Sequence, residues 1–535
     1  MSAGLWSPRM APSSVLCILL GLLMWPEPGT ASLPLVMDSV IRVLAELEQK
    51  LPGTQVNESA SAWLLSAQNS GPLHPLHHLL LQAPSLKVTK LDPPPLSPEL
   101  RDLAEEVARH EIQAGREYGV VLAPDGSTVA VKPLLAGLTA GLQVRRGLAL
   151  TLPLESQASP PDAGATSPGP TGASPDIPPT DAGATLPKGQ PRSLSARDSF
   201  LAITLAADLG LDFLQSPRNQ SLPGLGTEGC WDQLSAPQEF TLLDPKASGL
   251  TMAFLNGALD GALLADYLST VPEPRPPLSR LLSEYYGAGV AEDPKFRSNF
   301  RRQKGAALTS APSLAQLVLG TLVLLQNVEP GPPQLHNISQ DHLAQVAAQA
   351  AKEFVEAFLG CPAIHPRCRW EAAPYRGNPA PLKLPLGFLY VHHTFEPALP
   401  CTTFKRCAAD MRSMQRFHQG ERHWSDIGYS FVVGSDGYVY EGRGWHWVGA
   451  HTFGYNSHGF GVAIVGDFSK TLPSKEVLRT VSHVLPSCAV RAGLLRGDYG
   501  VLGHRQLVRT TECPGDALFL QLRTWPHFSE SKATN

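Results

Sequence analysis

Gly387-Phe-Leu-Tyr-Val-His-His-Thr394 is the stretch on which the fold turns. An apolar run of strand length ends there on two histidines, and open α/β sheets bind their ligands just beyond the carboxyl ends of strands. Further along the chain, Ile427 to Val433 and Tyr438 to Glu441 read as strands joined by the hairpin signal Gly434-Ser-Asp-Gly437, and Phe460 to Val465 is an apolar run of buried-strand length. Helical spacing fills the gaps, at Phe404 to Phe417 and Ser474 to Arg491. Strands and helices alternating in this way predict an α/β domain over residues 361–528, with a mixed central β-sheet flanked by helices.

Histidine is concentrated in that span, which holds 11 of the 17 in the chain. It carries 18 Lys/Arg against 12 Asp/Glu, a balance of +6 in a chain whose net charge is −4. A basic surface of this size suits carboxylate-bearing ligands, with no nucleic acid expected. His392 closes the first strand, Val501-Leu-Gly-His504 is a second short apolar approach to a histidine, and Cys513 follows nine residues later. Two imidazoles and one thiolate from separate loops suit tetrahedral zinc with its fourth position open to water. His393 points to the other face if the strand alternation persists, which fits packing or support of a ligand better than ligation. Neither a Gly-x-Ser-x-Gly elbow nor a His-Glu-x-x-His helix is present, so the serine-hydrolase and zincin readings fall away.

The remainder of the chain is of another kind. Arg9, the apolar run Val15 to Trp25 and the small residues Gly29-Thr-Ala31 read as a secretory signal over 1–32, too short to span a bilayer, with a signal anchor as the competing reading. Sequons at Asn57, Asn219 and Asn337 fit the same export route, and a secreted protein without a transmembrane segment is expected. Residues 33–155 are helical in pattern, notably Met37 to Leu51 and a helix opening at Ser97-Pro98. Residues 156–195 turn to Pro, Ala, Gly, Ser and Thr and repeat Asp-Ala-Gly-Ala-Thr, a linker composition that cannot bury enough apolar surface to offset its ordering entropy. Helical patterning resumes over 196–360, at Phe200 to Leu214, Leu314 to Val328 and Gln340 to Phe358, and 529–535 form a tail. His74, His77 and His78 read as exposed histidines rather than a metal cluster. Of the eight cysteines, Cys17 leaves with the signal, and the seven left make an odd number, so one thiol is free for other chemistry in an oxidising compartment. A second metal site at Cys361, His365 and Cys368 is the alternative use of three of these residues.

Taken in order, Tyr390-Val-His-His-Thr394, Trp424-Ser-Asp-Ile-Gly-Tyr-Ser-Phe431, Gly437-Tyr-Val-Tyr-Glu-Gly-Arg-Gly-Trp445, Gly449-Ala-His451, Gly461-Val-Ala-Ile-Val-Gly466, Gly503-His-Arg-Gln506 and Cys513-Pro-Gly-Asp516 resemble the peptidoglycan recognition protein family. The long helical region ahead of them is similar to the family's long form. The resemblance implies a Zn2+ amidase that cuts between N-acetylmuramic acid and L-alanine in bacterial peptidoglycan and its muropeptides, in the service of innate immunity. A peptidoglycan-binding receptor without hydrolysis is the alternative, and the retained Cys513 and Tyr429 favour the enzyme. The resemblance further implies zinc on His392, His504 and Cys513, Tyr429 at the reacting carbonyl, and Thr511 at a position tied to hydrolysis. Cys513 comes one residue later than in the family pattern, leaving open whether Thr510 or Thr511 faces the metal.

The peptide groove is implied at Arg443, Trp445, His451 and Asn456, against a reading in which Trp445 and Trp447 are core aromatics and Arg443 a structural ion-pair partner. His446 and Trp447 fall where relatives discriminate lysine-type from diaminopimelate-type peptides. Disulfides are implied for Cys401–Cys407 and Cys361–Cys488, which leaves Cys230 with Cys368.

Overall fold

A computed structural model describes residues 35–50, parts of 111–138, 209–215, 230–232, 240–242, most of 248–306, then 310–327 and all of 333–530. The expected signal over 1–32, Asn57, Asn219, His74, His77, His78, the helix opening at Ser97-Pro98 and the 156–195 linker lie outside the described residues.

The C-terminal sheet has six strands: β1 (Ile364–His365), β2 (Leu386–His393), β3 (Phe431–Val433), β4 (Val439–Glu441), β5 (Gly459–Ile464) and β6 (Leu495–Gly503), in the order β6-β2-β5-β3-β4-β1. Long apolar β2 lies between β5 and β6 and is parallel to both; β3 is parallel to β5, antiparallel to β4 across the Gly434–Gly437 turn, and β4 is parallel to β1. The mixed sheet is the expected one. Helix α1 (Phe404–Gly420) starts where Thr403 Oγ1 accepts the Arg406 N–H at 3.2 Å, and α2 runs as Lys475–Arg479, a π-turned stretch Thr480–Val484, and Leu485–Arg491. α3 is Asp516–Leu522.

Strand alternation divides two cores. Leu389, Val391, Val462 and Ile464 pack against Val477, Val481, Leu485 and Leu522 on the α2 face, while Val432 and Ala463 pack against Cys407, Met411 and Met414 on the α1 face. Since Val391 belongs to the α2 face, His392 is turned toward α1. The strand expected from Ile427 begins only at Phe431, because the Ile427 N–H donates to Asp426 Oδ1 (2.7 Å) and the Gly428 N–H to His418 Nδ1 (3.3 Å) rather than to a sheet neighbour.

Ahead of the domain, the expected helices appear as Met37–Lys50, Ala311–Gln326 and Gln340–Glu353, the last continuing as the π-turned Phe354–Leu359; Leu211–Gln215 is the described part of the one expected from Phe200. Within the apolar run at 314–328, the residues up to Gln326 form a core helix that buries Leu314, Val318, Leu322 and Leu325. No helix among the described residues is long and apolar enough to cross a membrane. Asn337 is exposed, with φ 61°. Not anticipated was a small sheet of Leu35–Val36, Val120–Leu122 and Thr128–Ala130. Its turn carries Asp125, whose carboxylate accepts from Ser298 Oγ (2.6 Å) and from Tyr438 Oη (2.7 Å), so the helical region grips the β3–β4 hairpin, which β5 separates from β2.

Within that hairpin Asp436 is 3% exposed, and burial pushes its carboxyl up to about 7 although Tyr440 Oη (2.6 Å) and the Tyr438 N–H (3.2 Å) donate to it. A folded-state value above the unfolded one, ~3.9, favours the protonated carboxyl in the fold, so this stability is complete below about pH 4 and is lost as pH rises toward 7. Asp436→Asn is therefore expected to flatten the fall in melting temperature between pH 5 and 8. Parallel profiles for the two proteins would contradict it.

Candidate metal centre and cleft

Register brings the first two candidate ligands together. Val391 pairs with Gly503 across β2 and β6, so His392 and His504 follow side by side, and their ring centroids are 4.6 Å apart. The third arrives on the loop before α3. The Arg505 N–H donates to the Cys513 carbonyl (2.9 Å), the Arg505 guanidinium pairs with Asp516 (2.6 Å), and together they staple the Cys513 loop to the His504 turn. One donor atom from each of His392, His504 and Cys513 lies within 4.8 Å of the other two, and Cys513 Sγ is 3.6 Å from His392 Nδ1.

The electrostatics suit a cation. Burial and the neighbouring imidazoles hold His392 well below the usual histidine range, and His504 is lowered to about 4, mainly by burial. Both therefore present neutral lone pairs. Burial pushes the Cys513 thiol up to about 12, a cost that an adjacent divalent cation reverses by stabilising the thiolate. Cys513 is free, whereas Cys361–Cys488 and Cys401–Cys407 are disulfides with Cα atoms 5.1 Å apart in each. Cys368 is disulfide-bonded as well, which removes the alternative metal site at Cys361, His365 and Cys368; His365 Nε2 instead meets the Asp125 carbonyl at 3.0 Å.

A cleft of about 850 Å³ opens over the three candidate ligands, lined also by Tyr429, His451, Thr510 and Thr511. Tyr429 is half-buried, with its ring 5.4 Å from that of His392, and burial with the nearby Cys513 holds its phenol above the usual tyrosine range, so it stays a proton donor. Thr511 Oγ1 accepts the Cys513 N–H (3.2 Å), while Thr510 is exposed on the same wall. His393 also borders the cleft but is not one of the three convergent donors, and its Nδ1 accepts the Phe468 N–H (3.3 Å).

The residues expected in the groove divide. His451 lines the cleft, its pKa lowered to about 3 by burial, then by His504 and Arg443. Asn456 sits behind it, its Oδ1 accepting the backbone N–H groups of His451 (2.9 Å) and Thr452 (2.7 Å). Trp445 is wedged in the α2-face core between Phe431 (4.2 Å) and Phe460 (5.0 Å), and Arg443 is 8% exposed, with Nε and Nη1 donating to the carbonyls of Ile427 and Val448 at 2.8 Å. Neither lines the cleft.

Sequence reading missed the α1 wall, formed by Met414, Phe417 and His418, continued by Arg422 and Trp424. His418 stacks on Trp424 (4.7 Å) and takes the Gly428 N–H on Nδ1, which leaves its ring proton on Nε2. The signal was there: Met411, Met414 and His418 form one stripe at helical spacing, so a histidine ends an otherwise apolar buried face. Nor is the basic balance concentrated here, since Arg422 shares the lining with Glu396 and Glu512.

Residues 383–516 match the family model described as N-acetylmuramoyl-L-alanine amidase. The human protein of that name is 67% identical, the match covering 96% of this chain and 94% of that one; the mouse protein is also 67% identical, over 96% and 98%. Peptidoglycan-recognition protein LB of Drosophila melanogaster is 43% identical over 28% of this chain and 63% of its own. Likeness at this level along nearly the whole of both chains, with the amidase match laid over the sheet that carries the cleft, means that the chain belongs to the peptidoglycan recognition protein family, as one of its long-form N-acetylmuramoyl-L-alanine amidases.

Proposed function

We propose that this amidase is a secreted, zinc-dependent enzyme that hydrolyses the lactyl-amide bond between N-acetylmuramic acid and L-alanine in bacterial peptidoglycan, and that it serves innate immunity in doing so. The observation that carries the metal dependence is the convergence of His392, His504 and the free Cys513 thiol within 4.8 Å. Two neutral imidazoles and a thiolate match the donor chemistry of an open zinc site. Zinc held by them would supply Lewis acidity for the amide carbonyl and would lower the pKa of a water nucleophile toward neutral pH.

The chain's own groups do the rest. Tyr429, kept protonated, donates its hydroxyl hydrogen to the carbonyl oxygen as negative charge builds there. Thr511 uses an oxygen lone pair to hold the Cys513 loop and retains its own proton for a substrate acceptor; Thr510 is the more exposed of the two. His418 offers its Nε2–H, Trp424 and Phe417 offer apolar faces, and Arg422 meets a stem-peptide carboxylate. His451 closes the cleft floor, and Arg443, Trp445 and Asn456 shape the groove through the loops they hold. Support for export comes from the signal-like residues 1–32, the sequons and the disulfides, which need an oxidising compartment.

Mass spectrometry of soluble muropeptides treated with the full chain tests the reading. Free stem peptides with an L-alanine amino terminus are expected, with release stopped by a chelator and restored by Zn2+. Chelator-resistant cleavage, or a cut at another bond, would overturn it.

A further inference from the structure

Both ring nitrogens of His392 have neighbours, and they differ in kind. Nδ1 lies 3.6 Å from Cys513 Sγ, among the candidate metal donors, whereas Nε2 lies 3.4 Å from Thr452 Oγ1. A nitrogen that ligates must present its lone pair, so the ring proton has to stand on Nε2. Thr452 is fully buried, which excludes bulk water as a competing acceptor there. The hydroxyl has one hydrogen of its own, and His451 Nδ1 lies 3.0 Å from the same oxygen. His451 Nδ1 is the acceptor that this oxygen has for its own hydrogen once it accepts from His392, and the His451 ring proton then stands on Nε2, a buried atom with no hydrogen-bond partner among the described residues.

The parts of this relay are held in place. Asn456 Oδ1 takes the consecutive backbone N–H groups of His451 and Thr452, and the Thr452 carbonyl accepts the Tyr455 N–H at 2.9 Å. The His451 ring is pressed against two glycines: a Cβ on Gly461 would stand 2.3 Å from its Cγ, and one on Gly449 2.3 Å from its Cδ2. Any side chain at either position would displace the imidazole. Neither Thr452 nor Asn456 lines the cleft, so neither reaches substrate.

We propose that Thr452, backed by His451 and aligned by Asn456, is a positioning residue that fixes the tautomer and tilt of His392, so that Nδ1 is always the nitrogen offered to the metal. The idea rests on the reading of His392 as a zinc ligand. Partners that orient a ligating histidine typically change metal affinity by about 10- to 100-fold when removed. A hydroxyl acts here through one hydrogen bond, so serine should serve and valine should not.

The test is zinc affinity of the full-length chain, measured by competition with a chromophoric chelator, for the unaltered protein, Thr452→Val and Thr452→Ser. Thr452→Val is expected to bind Zn2+ about 10- to 100-fold more weakly, with Thr452→Ser close to the unaltered protein. Equal affinity in Thr452→Val, or equal weakening in both variants, would overturn the assignment. Long-range nitrogen–proton correlation spectra of the zinc-loaded unaltered protein give a reading independent of any variant's folding. They should show His392 and His451 protonated on Nε2, and a proton on Nδ1 of His451 would contradict the relay. An unaltered chain that binds no zinc sinks the metal reading itself, an outcome distinct from zinc binding that ignores Thr452.

Discussion

Cys513→Ser is expected to lower amide hydrolysis by about a thousandfold or more, roughly 4 kcal/mol of barrier, while the melting temperature of the metal-free protein moves little. A serine hydroxyl does not ionise near neutral pH and leaves two imidazoles as the remaining donors of a three-donor site. Stability should survive because Cys513 is half-buried, belongs to no disulfide and sits on a loop held independently by Arg505 and by the Thr511 hydroxyl. His392→Ala should match it in activity. Muropeptide turnover by either variant at the unaltered rate would remove the metal from the mechanism.

The second large effect belongs to Tyr429→Phe. Its phenol is the uncharged donor nearest in character to an oxyanion partner, since burial and Cys513 both disfavour the phenolate. Loss of one such donor costs about 10²- to 10³-fold in kcat, or roughly 3 to 4 kcal/mol. The hydroxyl serves charge that exists only near the barrier, so KM should scarcely change. Paired kcat and KM measurements on a defined muropeptide decide this; a loss carried mainly by KM would make Tyr429 a ground-state contact.

The sheet was legible because its central strand is a long apolar run and its hairpin announces itself at Gly434-Ser-Asp-Gly437. The convergence of His392, His504 and Cys513 was legible for a related reason: strand ends and an odd thiol are features of sequence alone. What resisted reading depends on which groups a side chain meets in space. Trp445 suits a groove or a core equally well in sequence, and only the flanking rings of Phe431 and Phe460 decide for the core. Arg443 has the charge for a substrate carboxylate, yet its nitrogens are used on backbone carbonyls that gather the loops behind the cleft. His418 hid inside an amphipathic helix, where a histidine among methionines reads as packing. The small sheet near Asp125 hid in strands of two or three residues, too short for period-two alternation to stand out.

The zinc site on His392, His504 and Cys513 is tested by metal analysis of the purified full-length chain combined with thiol counting. It predicts one zinc per chain, lost on Cys513→Ser, and a Cys513 thiol that alkylating reagents reach only after the metal has been removed. A chain that carries no zinc and rebinds none, or a Cys513 found paired with another cysteine, would contradict it.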